Sequence, residues 1–276
     1  MILTAVAILG AVGLTFGILI AIAHRKFKVW EDPRIDVVAA MLPGANCGAC
    51  GVPGCRTFAE LVIAGKQRPA DCNVLDAAGV ETLASYLGVE AGESNKRVAR
   101  LLCAGGANVA TQQADYSGLE TCAAASTVGG GGKGCTWGCL GFGDCAVVCE
   151  FDAIVMNEHQ LPVVDPVKCT ACGDCVDACP KGLFTIMPLD WKLIVQCRSA
   201  LEGDEVLSIC RAACTACGKC VLDAAPGLIT MRGGLPVIDY TKNELASPDA
   251  ARRCPTDAIA WVEGAQRFTH DVAGAH

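Results

Sequence analysis

The sequence predicts an α+β protein that combines one N-terminal transmembrane helix with several small cysteine-rich modules. Three observations predict this class: an uncharged apolar run at the N-terminus, 20 cysteines in 276 residues, and 31 glycines. A single large apolar core does not account for so many glycines and closely spaced thiols, so several loop-rich modules fit better. The formal net charge of −7, with no basic cluster to offset it, argues against a nucleic-acid partner.

The N-terminal segment is long and apolar enough to cross a bilayer. Residues 2–23 contain no ionisable side chain and would form a helix of about 33 Å. A secretory signal carries its positive charge before the apolar run, whereas here the basic residues follow it: His24, Arg25, Lys26 and Lys28. We therefore predict a single-pass membrane anchor over residues 1–24 of a protein whose remaining domains lie on the cytoplasmic side. A buried core helix is the alternative.

The first group of cysteines has the spacing of a metal site. It consists of Cys47, Cys50, Cys55 and, after sixteen intervening residues, Cys72. Glycines around the first three would let the backbone fold tightly round a bulky cluster and direct N–H groups at its sulfur atoms. We predict an iron–sulfur cluster on these four cysteines in a domain over residues 25–90. A structural zinc site is the alternative.

The region that follows has no predicted chemistry. Apolar spacing predicts helices over residues 57–64 and 80–102, and the polar side chains between residues 94 and 100 are expected to face solvent. The glycine run 129–132 is interpreted as a flexible junction within a connecting region over residues 91–133, because no P-loop pattern completes it.

Two cysteine motifs come next, and the second has the spacing of a bacterial ferredoxin. The first motif comprises Cys135, Cys139, Cys145 and Cys149, and the second comprises Cys169, Cys172, Cys175 and Cys179. In a two-cluster ferredoxin the fourth cysteine of each motif binds the other cluster. This crossing predicts two 4Fe-4S clusters in a ferredoxin-like domain over residues 134–190. One would be held by Cys135, Cys139, Cys145 and Cys179, and the other by Cys149, Cys169, Cys172 and Cys175.

The first of these motifs departs from the usual pattern. Its first two gaps are stretched, and Glu150 stands where proline is usual. The number of cysteines is intact, so both clusters are still expected. Between the motifs, residues 153–156 and 161–165 predict a short β-hairpin.

The chain then repeats itself with losses. Residues 161–165 recur as residues 235–239, which implies a second, degenerate ferredoxin-like module over residues 191–264. The missing cysteines are replaced by Ala225, Asn243, Ala246 and Asp249. By the crossing rule the lost cysteines all belong to one cluster and the retained ones to the other. The sequence therefore predicts a fourth cluster on Cys214, Cys217, Cys220 and Cys254.

Four cysteines remain without a group: Cys103, Cys122, Cys197 and Cys210. None has the closely spaced companions of a cluster motif, so apolar burial, ligation and redox pairing all stay open for them. The histidines lack ligand spacing and no dinucleotide fingerprint follows a strand, so we predict neither a catalytic residue nor a flavin or nicotinamide site in this chain. Residues 265–276 are interpreted as a tail.

The order of these parts resembles the family of B subunits of the Rnf electron-transport complex. The resemblance rests on the N-terminal anchor, the motif from Asn46 to Cys55 with Cys72, and the motif from Gly134 to Cys145. It implies an electron-relay subunit of a membrane complex that couples electron transfer between ferredoxin and NAD to Na+ or H+ translocation. It also implies a soluble ferredoxin and other Rnf-type membrane and flavin- or NAD-binding subunits as partners. A membrane-anchored module that reduces a redox-regulated iron–sulfur protein is the alternative.

Overall fold

The N-terminal apolar run forms one helix, α1 (Ile2–Phe27), in a computed structural model that describes residues 2–27 and 31–268. Its apolar side chains, such as Leu9 and Phe16, are exposed. Within the described residues it is the one helix long and apolar enough to cross a membrane. Basic residues occupy its last turn, where the partial negative charge of the helix dipole favours them. Residues 269–276 of the predicted tail lie outside the described residues.

Three helices build the first cysteine-rich domain: α2 (Arg34–Met41), α3 (Cys55–Ile63) and α4 (Ala77–Leu87). They bury Val38, Phe58 and Leu83 in a small apolar core. The helix predicted over residues 57–64 is confirmed, and it begins two residues earlier.

The helix predicted over residues 80–102 is wrong beyond Leu87. Helix α4 ends there because Gly88 adopts the left-handed conformation at φ +65°, which favours glycine. Residues 97–101 instead form strand β1 (Arg97–Leu101), and Arg100, expected to face solvent, is only 1% exposed. Its Nη1 donates to the carbonyl of Gly264 at 2.7 Å. The predicted connecting region is therefore part of the packed structure.

The region with the two ferredoxin-like motifs contains two short helices and two two-stranded sheets. The predicted hairpin is confirmed as strands β2 (Ile154–Met156) and β3 (Pro162–Val164), which pair antiparallel with Ile154 opposite Val164. Strand β4 (Phe184–Pro188) pairs antiparallel with β1. The short helices α6 (Asp144–Val147) and α7 (Asp174–Asp177) each follow a glycine in the left-handed conformation, and the six-residue α5 (Cys122–Thr127) precedes them.

The following region repeats this arrangement. Strand β5 (Leu193–Val195) pairs with β8 (Ile259–Trp261), and β6 (Ile229–Arg232) forms a hairpin with β7 (Leu235–Ile238). Helices α8 (Lys219–Asp223) and α9 (Asp249–Arg252) are as short as α6 and α7. The repeat inferred from residues 161–165 and 235–239 is thus visible in the strands.

The glycine run 129–132, predicted as a flexible junction, forms a series of tight turns. All four glycines have positive φ, and Gly130 and Gly131 are buried. The carbonyl of Gly132 accepts the N–H of Gln113 at 2.7 Å, and a Cβ at Gly132 would overlap the carbonyl oxygen of Ala114. The run is therefore a packed sequence of tight turns that fixes the position of the residues following it.

Candidate metal centres

The 20 cysteines are all free thiols within the described residues, and the fold gathers them into five groups of four. Four groups line clefts that enclose about 310–360 Å³ of space, part of it open to solvent. The fifth group is Cys214, Cys217, Cys220 and Cys254. Its thiols are close enough that the charges of Cys217, Cys220 and Cys254 all act on Cys214.

The N-terminal group unites all four predicted cysteines around one cleft of about 340 Å³: Cys47, Cys50, Cys55 and Cys72. The loop that carries them is held by side chains. Asn46 accepts the N–H of Cys55 through its Oδ1 at 2.9 Å, and Gln67 donates through Nε2 to the carbonyl of Cys50 at 2.9 Å. The apolar core next to α3 closes the cleft from behind through Phe58.

A second group also matches the prediction and lines a cleft of about 320 Å³: Cys149, Cys169, Cys172 and Cys175. Its remaining walls are largely apolar, with Ile154 from β2 and Ile186 from β4. Burial, and then the charges of the neighbouring thiols, raise the pKa of Cys175 to about 12. The Cys175 thiol is therefore protonated at neutral pH unless a metal displaces the proton.

The third group differs from the predicted one by a single residue. Cys139, Cys145 and Cys179 line a cleft of about 360 Å³, but the fourth thiol there is Cys122, and Cys135 is not among the lining residues. Cys122 is fixed by Asp144, whose carboxylate accepts the N–H groups of Cys122 at 2.7 Å and Ala123 at 3.0 Å. Burial raises the pKa of Cys145 to about 12. The stretched gap between Cys135 and Cys139 was the signal that the first motif is not a standard one.

The fourth group contains Cys135 together with three of the cysteines that the sequence analysis left without a group. These three are Cys103, Cys197 and Cys210. Their cleft encloses about 310 Å³. Burial raises the pKa of both Cys197 and Cys210 to about 11. Spacing could not reveal this group, because its members are distributed over residues 103–210 and no two of them share a short motif.

The C-terminal group comprises the four cysteines that the degenerate repeat retains: Cys214, Cys217, Cys220 and Cys254. Burial raises the pKa of Cys214, and the charges of the other three thiols raise it further. Cys217 is exposed, whereas Cys214 and Cys220 are buried. The fold therefore brings this predicted group together at a site that borders on solvent.

Four cysteine thiols are the donor set that holds a 4Fe-4S cluster, and each of these groups supplies such a set. Backbone N–H groups also point at sulfur, as iron–sulfur sites require; the N–H of Leu183 lies 3.4 Å from Cys179 Sγ. Buried thiol sets of this kind, with N–H donors and apolar walls, define the class as a multi-site iron–sulfur electron carrier.

Comparison with known proteins agrees with this class. Residues 42–74 match a family described as a putative Fe-S cluster, and residues 134–183 match a 4Fe-4S dicluster domain. The chain is 45% identical over 259 residues to the B subunit of the Na+-translocating ferredoxin:NAD+ oxidoreductase complex of Acetobacterium woodii, covering 94% of this chain and 78% of that protein.

Two further relatives have similar names. The B subunit of the ion-translocating oxidoreductase complex of Methanosarcina acetivorans is 37% identical, over 93% of this chain and 97% of that protein. The B subunit of the proton-translocating ferredoxin:NAD+ oxidoreductase complex of Clostridium ljungdahlii is 34% identical, over 91% and 89%. The chain therefore belongs to the family of B subunits of ion-translocating (Rnf) oxidoreductase complexes.

Proposed function

We propose that this chain is the electron-relay subunit of a translocase-type oxidoreductase, passing electrons between a soluble ferredoxin and the other Rnf-type membrane and flavin- or NAD-binding subunits. The complex would couple this transfer to Na+ or H+ translocation. The observation that carries the proposal is that neighbouring groups of four cysteines are in contact with one another, in series along the molecule, rather than lying in isolated domains.

Four 4Fe-4S clusters are inferred on the groups that spacing or the repeat first indicated, with Cys122 taking the place of Cys135. Their ligands would be Cys47, Cys50, Cys55 and Cys72; Cys149, Cys169, Cys172 and Cys175; Cys122, Cys139, Cys145 and Cys179; and Cys214, Cys217, Cys220 and Cys254. When bound, such clusters supply one-electron transfer. The chain supplies the thiolates, the N–H donors and the apolar walls that keep water away.

Contacts between neighbouring groups support the relay. Asn73, which follows Cys72, donates through Nδ2 to the carbonyl of Thr170 at 2.8 Å, and Thr170 follows Cys169. The N-terminal site therefore adjoins the Cys169 site. The Cys169 site in turn adjoins the Cys145 site, since helix α6, which carries Cys145, packs against helix α7, which carries Cys175.

Helix α1 is proposed as a single-pass anchor in the bacterial cell membrane, with the cluster domains on the cytoplasmic side. Its uncharged length and the basic residues at its C-terminal end support this orientation. The apolar stretch offers no ionisable group to conduct an ion, so Na+ or H+ would cross the membrane through partner subunits.

The proposal can be tested on the full chain purified anaerobically from membranes. We expect it to copurify with integral-membrane subunits, to contain iron and acid-labile sulfide in equal amounts, and to be reduced by reduced ferredoxin as followed by EPR. Zinc without sulfide would exclude the relay function. If the chain contains iron and sulfide but copurifies with a soluble regulatory protein and without membrane subunits, the alternative of a reducing module would be favoured.

A further inference from the structure

We propose that Cys103, Cys135, Cys197 and Cys210 hold a fifth 4Fe-4S cluster, placed between the Cys145 site and the C-terminal site. This inference deepens the proposed relay function and rests on it. It assigns a ligand role to the cysteines that no motif explains.

The first support is the geometry of the cleft. These four cysteines line a single cleft, as the four cysteines at the Cys169 site do. All four cysteines are buried, and small residues such as Gly138 and Ala212 complete the walls. At Gly105 a Cβ would lie 3.1 Å from Cys210 Sγ and 3.5 Å from Cys103 Sγ, so a side chain there would crowd the sulfur atoms.

The second support is the set of N–H groups that point at the sulfur atoms. Cys103 Sγ accepts from the N–H groups of Gly105 at 3.3 Å and Cys139 at 3.4 Å. Cys197 Sγ accepts from those of Ser199 at 3.5 Å and Cys214 at 3.3 Å. A thiol buried only as an apolar group is a weak acceptor and gains little from two donors, whereas a metal-bound thiolate is stabilised by them.

The third support is a lysine. Lys133 lines the cleft, and its Nζ donates to the carbonyl of Gly105 at 2.6 Å and to that of Cys139. The packed glycine turns at residues 129–132 hold Lys133 in this position. A fixed ammonium group compensates for part of the negative charge of a four-thiolate cluster and favours its reduced form.

The fourth support is the position of the cleft in the series. Cys139 donates its N–H to Cys103 Sγ, while its own thiol lines the Cys145 site. Cys214 donates its N–H to Cys197 Sγ, while its own thiol belongs to the C-terminal group. One residue on each side therefore connects the fifth site to a neighbouring site, and a cluster here would close the interval between them.

The test is an iron and sulfide count on the full chain, purified anaerobically, combined with EPR of the reduced protein. We expect about 20 iron atoms per chain, since five clusters carry four each. Cys197→Ala and Cys210→Ala should each lose about four iron atoms and the same EPR signal, and the double variant should lose no more than either. A count of about 16 iron atoms in the unaltered chain, or unchanged iron in either variant, would overturn the proposal, as would a disulfide among these cysteines detected after alkylation.

Two controls separate this proposal from the relay function and from misfolding. Cys172→Ala should lose about four iron atoms whether or not the fifth cluster exists, so the loss of iron from Cys172→Ala but not from Cys197→Ala rejects the fifth site alone. Ser199→Ala keeps the backbone N–H and should keep all the iron. Lys133→Gln should retain the iron and lower the reduction potential of the EPR signal that Cys197→Ala removes. A shift confined to the signal that Cys145→Ala removes would count against the fifth site.

Discussion

The two regions that contain the β2–β3 and β6–β7 hairpins share an arrangement of strands but differ in the side chains that occupy their interior. The region around β2–β3 surrounds two groups of four cysteines, whereas the region around β6–β7 retains one such group. Where the repeat has lost its cysteines, Ala225 and Ala246 pack against an apolar core that includes Ile229 and Ile238.

An aromatic pair adds to this packing in the second region. The ring of Tyr240 stacks on Trp191 with centroids 4.1 Å apart, and its hydroxyl donates to the carbonyl of Leu193 at 2.9 Å. In the first region, the buried cysteines Cys145, Cys169 and Cys175 lie in a core that also contains apolar side chains such as Ile154 and Val164. The same arrangement of strands thus surrounds two groups of cysteines in one place, and one group together with an aromatic pair in the other.

The largest expected effect is on the metal-free protein. Removal of the clusters with a chelator should expose the β2–β3 hairpin to hydrogen exchange, while β6–β7 keeps part of its protection because its apolar core persists. We expect protection to fall about 100-fold more at β2–β3, which corresponds to about 2.7 kcal/mol. Exchange followed by mass spectrometry would measure this. Equal loss in both hairpins would mean that packing does not replace the cluster.

Substitution of Tyr240 should weaken the second region alone. Tyr240→Ala removes the stacked ring and should lower the free energy of unfolding by about 2–3 kcal/mol. Tyr240→Phe keeps the ring and loses one hydrogen bond, so its cost should be about 1 kcal/mol. Denaturant unfolding of the metal-free protein measures both variants. A Tyr240→Ala protein as stable as Tyr240→Phe would show that the stacked ring adds nothing to the stability of this region.

The first region should also lose stability at alkaline pH once it is metal-free. Burial raises the pKa of Cys145 and Cys175 from an ordinary value of 9.0 to about 12, so the unfolded chain releases these protons first. Their contribution to stability is present below pH 9 and is lost as the pH rises from 9 towards 12, by up to about 1.4 kcal/mol per pH unit and group. Urea midpoints between pH 8 and 10 should fall, and Cys145→Ala should flatten the slope; an unchanged slope would contradict the assignment.

The smallest effect is expected at Asp144. Asp144→Asn weakens the acceptor that fixes the N–H groups of Cys122 and Ala123, at a cost of about 1 kcal/mol. Loss of iron on mild chelation should be faster at this site, as followed by its EPR signal. Asp174→Asn at the corresponding position of α7 is the matched control: Asp174 lines the Cys169 site instead, so this variant should leave the rate at the Cys145 site unchanged. Equal rates in both variants would remove Asp144 from the support of Cys122.

How well the sequence predicted these sites depended on how far apart the ligands of each group lie along the chain. Cys47, Cys50 and Cys55 are close enough along the chain for spacing alone to indicate a group, and the crossing rule supplied Cys179 and Cys254. Cys122 and Cys197 reach their groups through tertiary contacts, which spacing does not encode. The burial of Arg100 was missed for the same reason, since it follows from the pairing of β1 with β4, although Gly88 already gave a signal to end the preceding helix.

The long separation of Cys103 and Cys210 bears on how the protein is made. The Cys47 group is complete once residue 72 has left the ribosome, whereas the Cys103 group needs the chain as far as residue 210 and the C-terminal group needs it to residue 254. During synthesis the groups of cysteines therefore become complete in order from the N-terminal site onwards. A truncated chain that ends before Cys210 would carry metal at its early sites and still lack the connection to the later ones.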